Sequence, residues 1–364
     1  MASADSQGSA DLHAELTTYD CEVHTYDTFP RVVEYVDDET VRENEKAGYT
    51  IGPDEWGPLP WDGWDRRAHG RIQQDTLKIQ CAEDYDPKLE EFGIDRVVFS
   101  PGLGFKTFQI PDDNTRATFM RAMNDYIVDQ FVREDDVHFA KMLIVPDLPQ
   151  ESAREIDRVA GTDGIVGIFS ADLLDYPLGH DRYAPVLEAV ERAGLPLFLH
   201  SDSSVYAGFP TGDFQFGTFL EHHALVHPFL KLWHATSVIL QGVPERYDID
   251  ICFMEAGQSW IQMLANRLDR EYVERPHDAP ELTKLPSEYL SEFYYTTQPL
   301  EESKEPGQLA ELVERYDLED QLCFTGDYPH YDFDAPSAVL DHPHLSDHLK
   351  TKILQDNPRE LLGI

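Results

Sequence analysis

Positive charge is what this chain most lacks: 29 Lys and Arg stand against 69 Asp and Glu, for a formal charge of −40. A field of that sign repels phosphate backbones and anionic headgroups, so no nucleic acid and no membrane surface is expected as a partner. Cysteine is scarce too. Cys21, Cys81, Cys252 and Cys323 form no C-x-x-C pair, and they read as reduced thiols of a cytoplasmic protein rather than a disulfide frame. Long apolar runs are missing: none approaches the roughly 18 residues that a membrane span needs. The first residues are polar and acidic, so no signal peptide is expected.

What is present argues for a folded enzyme-sized body. The 364 residues are 41% hydrophobic, with 19 Phe, 17 Tyr and 5 Trp spread along the chain, which excludes a disordered acidic segment. A chain of this length buries roughly three quarters of its unfolded surface. The acidic residues are scattered, not blocked, and read as solvated surface. Scattered acid with little lysine resembles the proteins of salt-loving archaea, where molar salt shortens the screening length to about 3 Å.

Short apolar runs alternate with helical periodicity. Thr17–His24 reads as the first strand, being rich in β-branched and aromatic residues and followed by polar residues and Pro30. Residues 29–76 read as an irregular, lid-like insertion holding Trp56, Trp61, Trp64 and the basic Arg66, Arg67, His69 and Arg71. Strands are then expected at 96–100, 139–145, 164–169, 197–200, 248–255, 293–297 and 322–327. Helices are expected at 113–133, 150–159, 184–193, within 216–240, and at 259–272, 308–316 and 349–361. Eight strands alternating with helices predict an α/β fold, a single (β/α)₈ TIM barrel over 1–364 with a long insertion after strand 1. An open doubly wound sheet would be expected to carry a glycine-rich phosphate loop after its first strand, and this chain has none.

In such barrels catalytic groups sit at the carboxyl ends of strands. Glu22 and His24 share one face of the first strand. His200 ends the fifth, Glu255 the sixth and Asp327 the eighth. Glu, two His and Asp are nitrogen and oxygen donors suited to one divalent ion, with Zn²⁺ expected and Mn²⁺ the alternative. His222, His223, His227 and His234 lie in the long helical region. His223 and His227 are one turn apart and share a face, which reads as a solvated or lid-facing helix, with a second metal site as the other reading.

Four motifs carry a resemblance: Asp20-x-Glu22-x-His24, Leu197-Phe-Leu-His200, Phe253-Met-Glu255-Ala-Gly257-Gln-Ser-Trp260, and Thr325-Gly-Asp327-Tyr-Pro-His330. The chain resembles the amidohydrolase-related family, in the branch containing aminocarboxymuconate-semialdehyde decarboxylase and γ-resorcylate decarboxylase. The resemblance implies a (β/α)₈ barrel holding one divalent metal on Glu22, His24, His200 and Asp327. It also implies a small-molecule carboxylate substrate and non-oxidative decarboxylation; a metal-dependent hydrolase of an amide or lactone, or a non-catalytic barrel, are the other readings. One departure matters. The decarboxylases place a histidine where this chain has Glu255, so Glu255 or His227 is the expected acid/base partner, and Asp327 the expected proton carrier. His330 is expected to be turned off the strand line by Pro329. The assembly stays open, with a homodimer among the expectations.

Overall fold

The strand-like runs pair in chain order. The computed structural model describes residues 16–46, 78–102, 104–108, 110–201, 219–301, 307–330 and 332–364. Its strands are β1 (Tyr19–His24), β2 (Arg96–Ser100), β3 (His138–Leu143), β4 (Ile165–Ala171), β5 (Leu197–His200), β6 (Ile251–Phe253), β7 (Tyr294–Thr296) and β8 (Leu322–Cys323). Each lies parallel to the next in one eight-stranded sheet. The last strand returns to the first: Cys21 donates its N–H to the Phe324 carbonyl at 3.1 Å, and Asp327 to the Glu22 carbonyl at 3.2 Å. These bonds close a (β/α)₈ barrel, as the alternation predicted.

The covering helices are α1 (Asp86–Phe92), α2 (Asp113–Phe131), α3 (Pro149–Val159), α4 (Ala184–Ala193), α5 (Phe219–Leu240), α6 (Ser259–Glu274), α7 (Gln308–Tyr316) and α8 (Asn357–Leu362). Local chemistry sets their ends. The Asp112 carboxylate accepts from the Thr115 N–H at the start of α2, satisfying one of the donors that a helix leaves unpaired. Gly194 stops α4 at φ 63, and Val186, Leu187 and Val190 form its buried face.

Two apolar clusters result. The larger packs helices onto the outer face of the sheet and includes Val23, Val97, Phe99 and Ile168. The smaller lies within the barrel and includes Tyr19, Cys21, Val98, Phe139, Phe198, Cys252 and Cys323. A register irregularity in β1 between Asp20 and Val23 changes which residues face inward. Tyr19 and Cys21 belong to the inner cluster and Val23 to the outer one. Strict alternation would have sent Val23 inward with Cys21; the irregularity instead presents Glu22 and His24 to the interior.

Several boundaries differ from expectation. Phe29–Val32, Val33–Tyr35 and Glu39–Lys46 are short helices within the stretch expected to be irregular. Trp56, Trp61, Trp64, Arg66, Arg67, His69 and Arg71 lie outside the described residues. β6 and β8 stop before Glu255 and Asp327, because those two residues take left-handed backbone (φ 55 and φ 63) that leaves the ladder. The single helix expected over 349–361 is divided into Asp347–Thr351, a π turn over Lys352–Asp356, and α8. Pro358 has no N–H with which to continue an α ladder, and the Ile353 carbonyl instead accepts from Phe324 N at 3.0 Å.

Among the described residues no helix is long and apolar enough to cross a membrane. The charge of −40 makes self-repulsion the main salt-sensitive term. The unfolding midpoint is therefore expected to rise between dilute and molar KCl as the screening length falls to about 3 Å. A thermal melt indifferent to KCl would contradict this.

Candidate metal centre

Four side chains predicted from strand ends meet at one point. Donor atoms of Glu22, His24, His200 and Asp327 all lie within 4.8 Å of one another, and all four residues are buried. His24 Nε2 is 3.0 Å from Asp327 Oδ1, and His200 Nε2 is 3.1 Å from Glu22 Oε1. Glu255 adds a fifth donor, its Oε2 lying 3.3 Å from His200 Nε2. The left-handed backbone at Glu255 and Asp327 is uncommon outside glycine, and such strain concentrates where function fixes a side chain.

The tautomer of His200 tests whether a cation fits. Its Nδ1 donates to the Ser201 carbonyl at 2.6 Å, so neutral His200 carries its lone pair on Nε2. That lone pair faces two carboxylate oxygens. Nε2 of His200 and both oxygens of Glu255 are buried without a hydrogen bond of good geometry among the described residues. Acceptors facing acceptors in a dry site are unfavourable unless a cation joins them. The donor set of two imidazoles and two carboxylates suits a divalent ion of borderline softness.

The supports of these side chains come from neighbouring strands. Ser100 Oγ donates to Glu22 Oε1 at 3.1 Å and accepts from the Lys141 ammonium at 3.0 Å. Lys141 is fully buried, 3.8 Å from Glu22 Oε1. Gly167 makes room beside it: a Cβ there would stand 2.4 Å from the Phe198 ring and 3.4 Å from Lys141 Cγ. Asp20 Oδ1 accepts from the N–H of Glu22 at 3.0 Å and of Gly326 at 2.8 Å, tying β1 to the segment that carries Asp327. Replacing Asp20 with Ala strands two buried N–H groups, at a cost of about 1–3 kcal/mol each. Asp20→Ala is expected to lower stability by roughly 3 kcal/mol in urea unfolding and Asp20→Asn, which keeps an oxygen, by much less; equal losses would refute this account.

Charge and burial set the protonation states. Burial pushes the Glu22 carboxyl up, but His200 and Lys141 outweigh it and hold the pKa at about 2. Burial likewise works against ionised Asp327, yet His330 and His24 bring it well below the usual carboxylate range. Burial, then the His330 charge, lowers His24 to about 4. Glu255 goes the other way: burial first, then Asp327, Asp332 and Glu22, raise it well above its ordinary value. Asp332 rises to about 7 through burial and then Asp327.

The remaining histidines divide by role. His227 Nδ1 is 3.8 Å from Glu255 Oε1, and its ring is 4.3 Å from that of His223. His227 is 2% exposed, and burial followed by the neighbouring His223 and Lys231 lowers its pKa well below the ordinary value. This pair is turned toward the protein and not to solvent: His227 meets Glu255 of the segment after β6, and His223 Nε2 is 3.8 Å from Asp332 Oδ2. His234 is structural: Nε2 donates to the Asp172 carbonyl at 2.7 Å and Nδ1 accepts from Leu178 N at 3.0 Å. The side chain of His222 lies outside the described residues.

His330 does leave the strand line at Pro329, but the turn does not take it out of the site. The His330 N–H donates to the Asp327 carbonyl at 2.9 Å, and this tight turn folds the ring back so that Nδ1 is 2.9 Å from the Asp327 carboxylate. Burial opposes a charged His330, but Asp327 outweighs it and raises the pKa. Ser100, Lys141, Asp332, Phe105 and Phe169 were missed. The aromatic pair packs on the histidines, with Phe105 at 4.9 Å and Phe169 at 5.3 Å from the His200 ring. A lone lysine inside the apolar run Phe139-Ala-Lys-Met-Leu-Ile was a readable signal of a buried, paired cation.

Solved structures share this architecture. An amidohydrolase from Mycobacterium avium subsp. paratuberculosis K-10 superposes with a TM-score of 0.75 at 18% identity, covering 96% of this chain and 100% of that one. A 5-carboxyvanillate decarboxylase from Novosphingobium aromaticivorans, with manganese and 3-methoxy-4-hydroxy-5-nitrobenzoic acid bound, gives 0.70 at 17% identity, covering 96% and 98%. The 2,6-dihydroxybenzoate decarboxylase from Rhizobium gives 0.67 at 16% identity, covering 96% and 99%. At these identities the likeness is one of fold. No curated protein matches the chain. The sequence model described as Amidohydrolase matches residues 20–364, and by that match, over nearly the whole length, the chain belongs to the amidohydrolase family.

Proposed function

We propose that this protein is a metal-dependent carboxy-lyase that removes CO₂ from a small, aromatic or unsaturated carboxylic acid. The observation that carries the reading is the convergence of Glu22, His24, His200 and Asp327 within 4.8 Å, with Glu255 beside them. Those four would hold one divalent ion, Zn²⁺ or the Mn²⁺ seen in the carboxyvanillate decarboxylase. When bound, such an ion supplies a Lewis acid for a substrate carboxylate and a neighbouring oxygen.

The chain's own residues do the rest. Glu255 is buried, and that burial raises its carboxyl well above the ordinary value, which favours the protonated form that a general acid needs. That proton is the one delivered to the carbon that loses CO₂. His227, 3.8 Å away and held neutral, accepts and returns protons through Glu255. Asp327, held ionised by His330 and His24, is the proton acceptor of the same site. Phe105 and Phe169 hold the imidazoles in place with apolar surface.

The second reading is hydrolysis of an amide or lactone, in which Asp327 takes a proton from the attacking water. It draws on the same ionised Asp327. One experiment separates the two: protein supplied with Zn²⁺ or Mn²⁺ in molar KCl, assayed on hydroxybenzoates and on lactones. CO₂ release from a hydroxybenzoate is expected. Acid production from lactones without CO₂ release would replace the lyase with the hydrolase. Elemental analysis is expected to find about one tightly held divalent ion per chain, and none after metal supplementation would end both readings.

A further inference from the structure

The proposed ligand set leaves a second group of donors unused. His223 and His227 project from one face of α5, one turn apart. Glu255 approaches them from the segment after β6. Donor atoms of these three residues lie within 4.8 Å of one another. Glu255 stands between the two groups: Oε2 is 3.3 Å from His200 Nε2 on one side, and Oε1 is 3.8 Å from His227 Nδ1 on the other. Asp332 Oδ2 reaches to 3.8 Å from His223 Nε2 and adds, at the edge, a fourth donor, this one an oxygen.

Two further observations point to a cation. Glu255 is 1% exposed, and neither of its oxygens makes a hydrogen bond of good geometry among the described residues. A buried carboxyl group left in that condition, whether or not it carries a proton, is costly unless hydrogen-bonded or coordinated. Its backbone is also held at φ 55, a conformation that non-glycine residues adopt only when the surroundings enforce it. A surface pair of histidines would need neither.

We infer that His223, His227 and Glu255, with Asp332 at the edge, form a second divalent-cation site, weaker than the first and inhibitory when filled. Two imidazoles and a carboxylate select Zn²⁺, Co²⁺ or Ni²⁺ over Mg²⁺ and Ca²⁺, which prefer all-oxygen shells. Weaker binding follows from the donor count: three ligands from two segments, against four buried ligands for the first ion. Inhibition follows from Glu255. An ion held on Glu255 Oε1 ties down the side chain whose other oxygen stands 3.3 Å from His200 Nε2, so the second ion takes away a group that the reaction uses; this part rests on the lyase reading.

The test is equilibrium dialysis of metal-free whole protein against rising free Zn²⁺, with elemental analysis, on wild type, His223→Ala and His227→Ala. Wild type is expected to saturate in two steps, at about one and then about two ions per chain. Both variants are expected to stop at one, and that retained first ion shows the barrel is folded. Saturation of wild type at one ion overturns the site. A second step that survives both substitutions also overturns it, assigning that ion to the acidic surface. Co²⁺ titration adds a spectroscopic readout: a second absorbance phase from imidazole ligation is expected in wild type and absent in both variants. Under turnover, the second ion is expected to suppress wild-type activity by about 10²-fold, the lower end for a lost general acid, and His223→Ala is expected to escape that suppression. Absence of decarboxylation would sink the lyase reading while leaving the stoichiometry as evidence on the site itself.

Discussion

Asp327→Asn is expected to abolish turnover. Asp327 closes the barrel through its own N–H to the Glu22 carbonyl, and its carboxylate lies 3.0 Å from His24 Nε2 and 2.9 Å from His330 Nδ1. Asparagine keeps the shape but loses the charge. It also turns an N–H₂ toward one of two histidines that need an acceptor or a cation. Loss of a general base costs about 10²–10⁴ in rate, and loss of a ligand adds to that. His330→Asn is expected to cost less, because His330 acts on Asp327 and is not among the four converging donors. Its burial against Asp327 nevertheless makes a measurable loss the expectation. Steady-state kinetics and metal content on both variants decide the assignment. Turnover by Asp327→Asn within a few-fold of wild type removes Asp327 from the role, and near-total loss in His330→Asn with metal retained gives the role to the histidine.

Glu255→Gln is expected to reduce kcat by about 10²–10⁴ while leaving the tightly held ion in place. Gln matches Glu in size and keeps one oxygen toward His200, but it has no proton to transfer. The pH profile supplies a second readout. A proton donor works only below its pKa, and burial followed by Asp327, Asp332 and Glu22 raises that of Glu255. Wild-type kcat is therefore expected to be retained through the ordinary carboxylate range and to fall as pH rises through the raised Glu255 pKa. The Gln variant is expected to lose that alkaline fall. A variant with lowered kcat and an unchanged profile would show that Glu255 positions other groups and does not carry the proton.

Two histidines illustrate how little residue type alone decides. His227 and His234 sit on the same helix seven positions apart, and both are buried. His234 has both ring nitrogens satisfied by backbone groups, whereas His227 looks across at Glu255. Helical periodicity places them on similar faces of α5, and only the strand end opposite each one separates a packing residue from a site residue. Lys141 shows the converse. Its isolation in an apolar strand already demanded a buried partner, but which carboxylate pairs with it depends on strands that are far apart in sequence.

Eight apolar runs at regular spacing, each joined to the next by helical periodicity, determined the barrel from sequence alone, because parallel neighbours of that number close most readily on themselves. The same logic placed Glu22, His24, His200, Glu255 and Asp327 at one rim, since strand ends in a parallel barrel all open on one face. Periodicity could not show the irregularity between Asp20 and Val23 that turns Glu22 and His24 inward. Nor could it show the left-handed backbone at Glu255 and Asp327, or the turn that folds His330 back onto Asp327. Each is a local departure from regular strand geometry: at Asp327 it is fixed by hydrogen bonds between β1 and the segment after β8, more than three hundred residues apart, and at Glu255 its N–H donates to Thr296 Oγ1 at the end of β7. Such contacts exist only once the barrel has closed, and they make one site of side chains that the sequence lists separately.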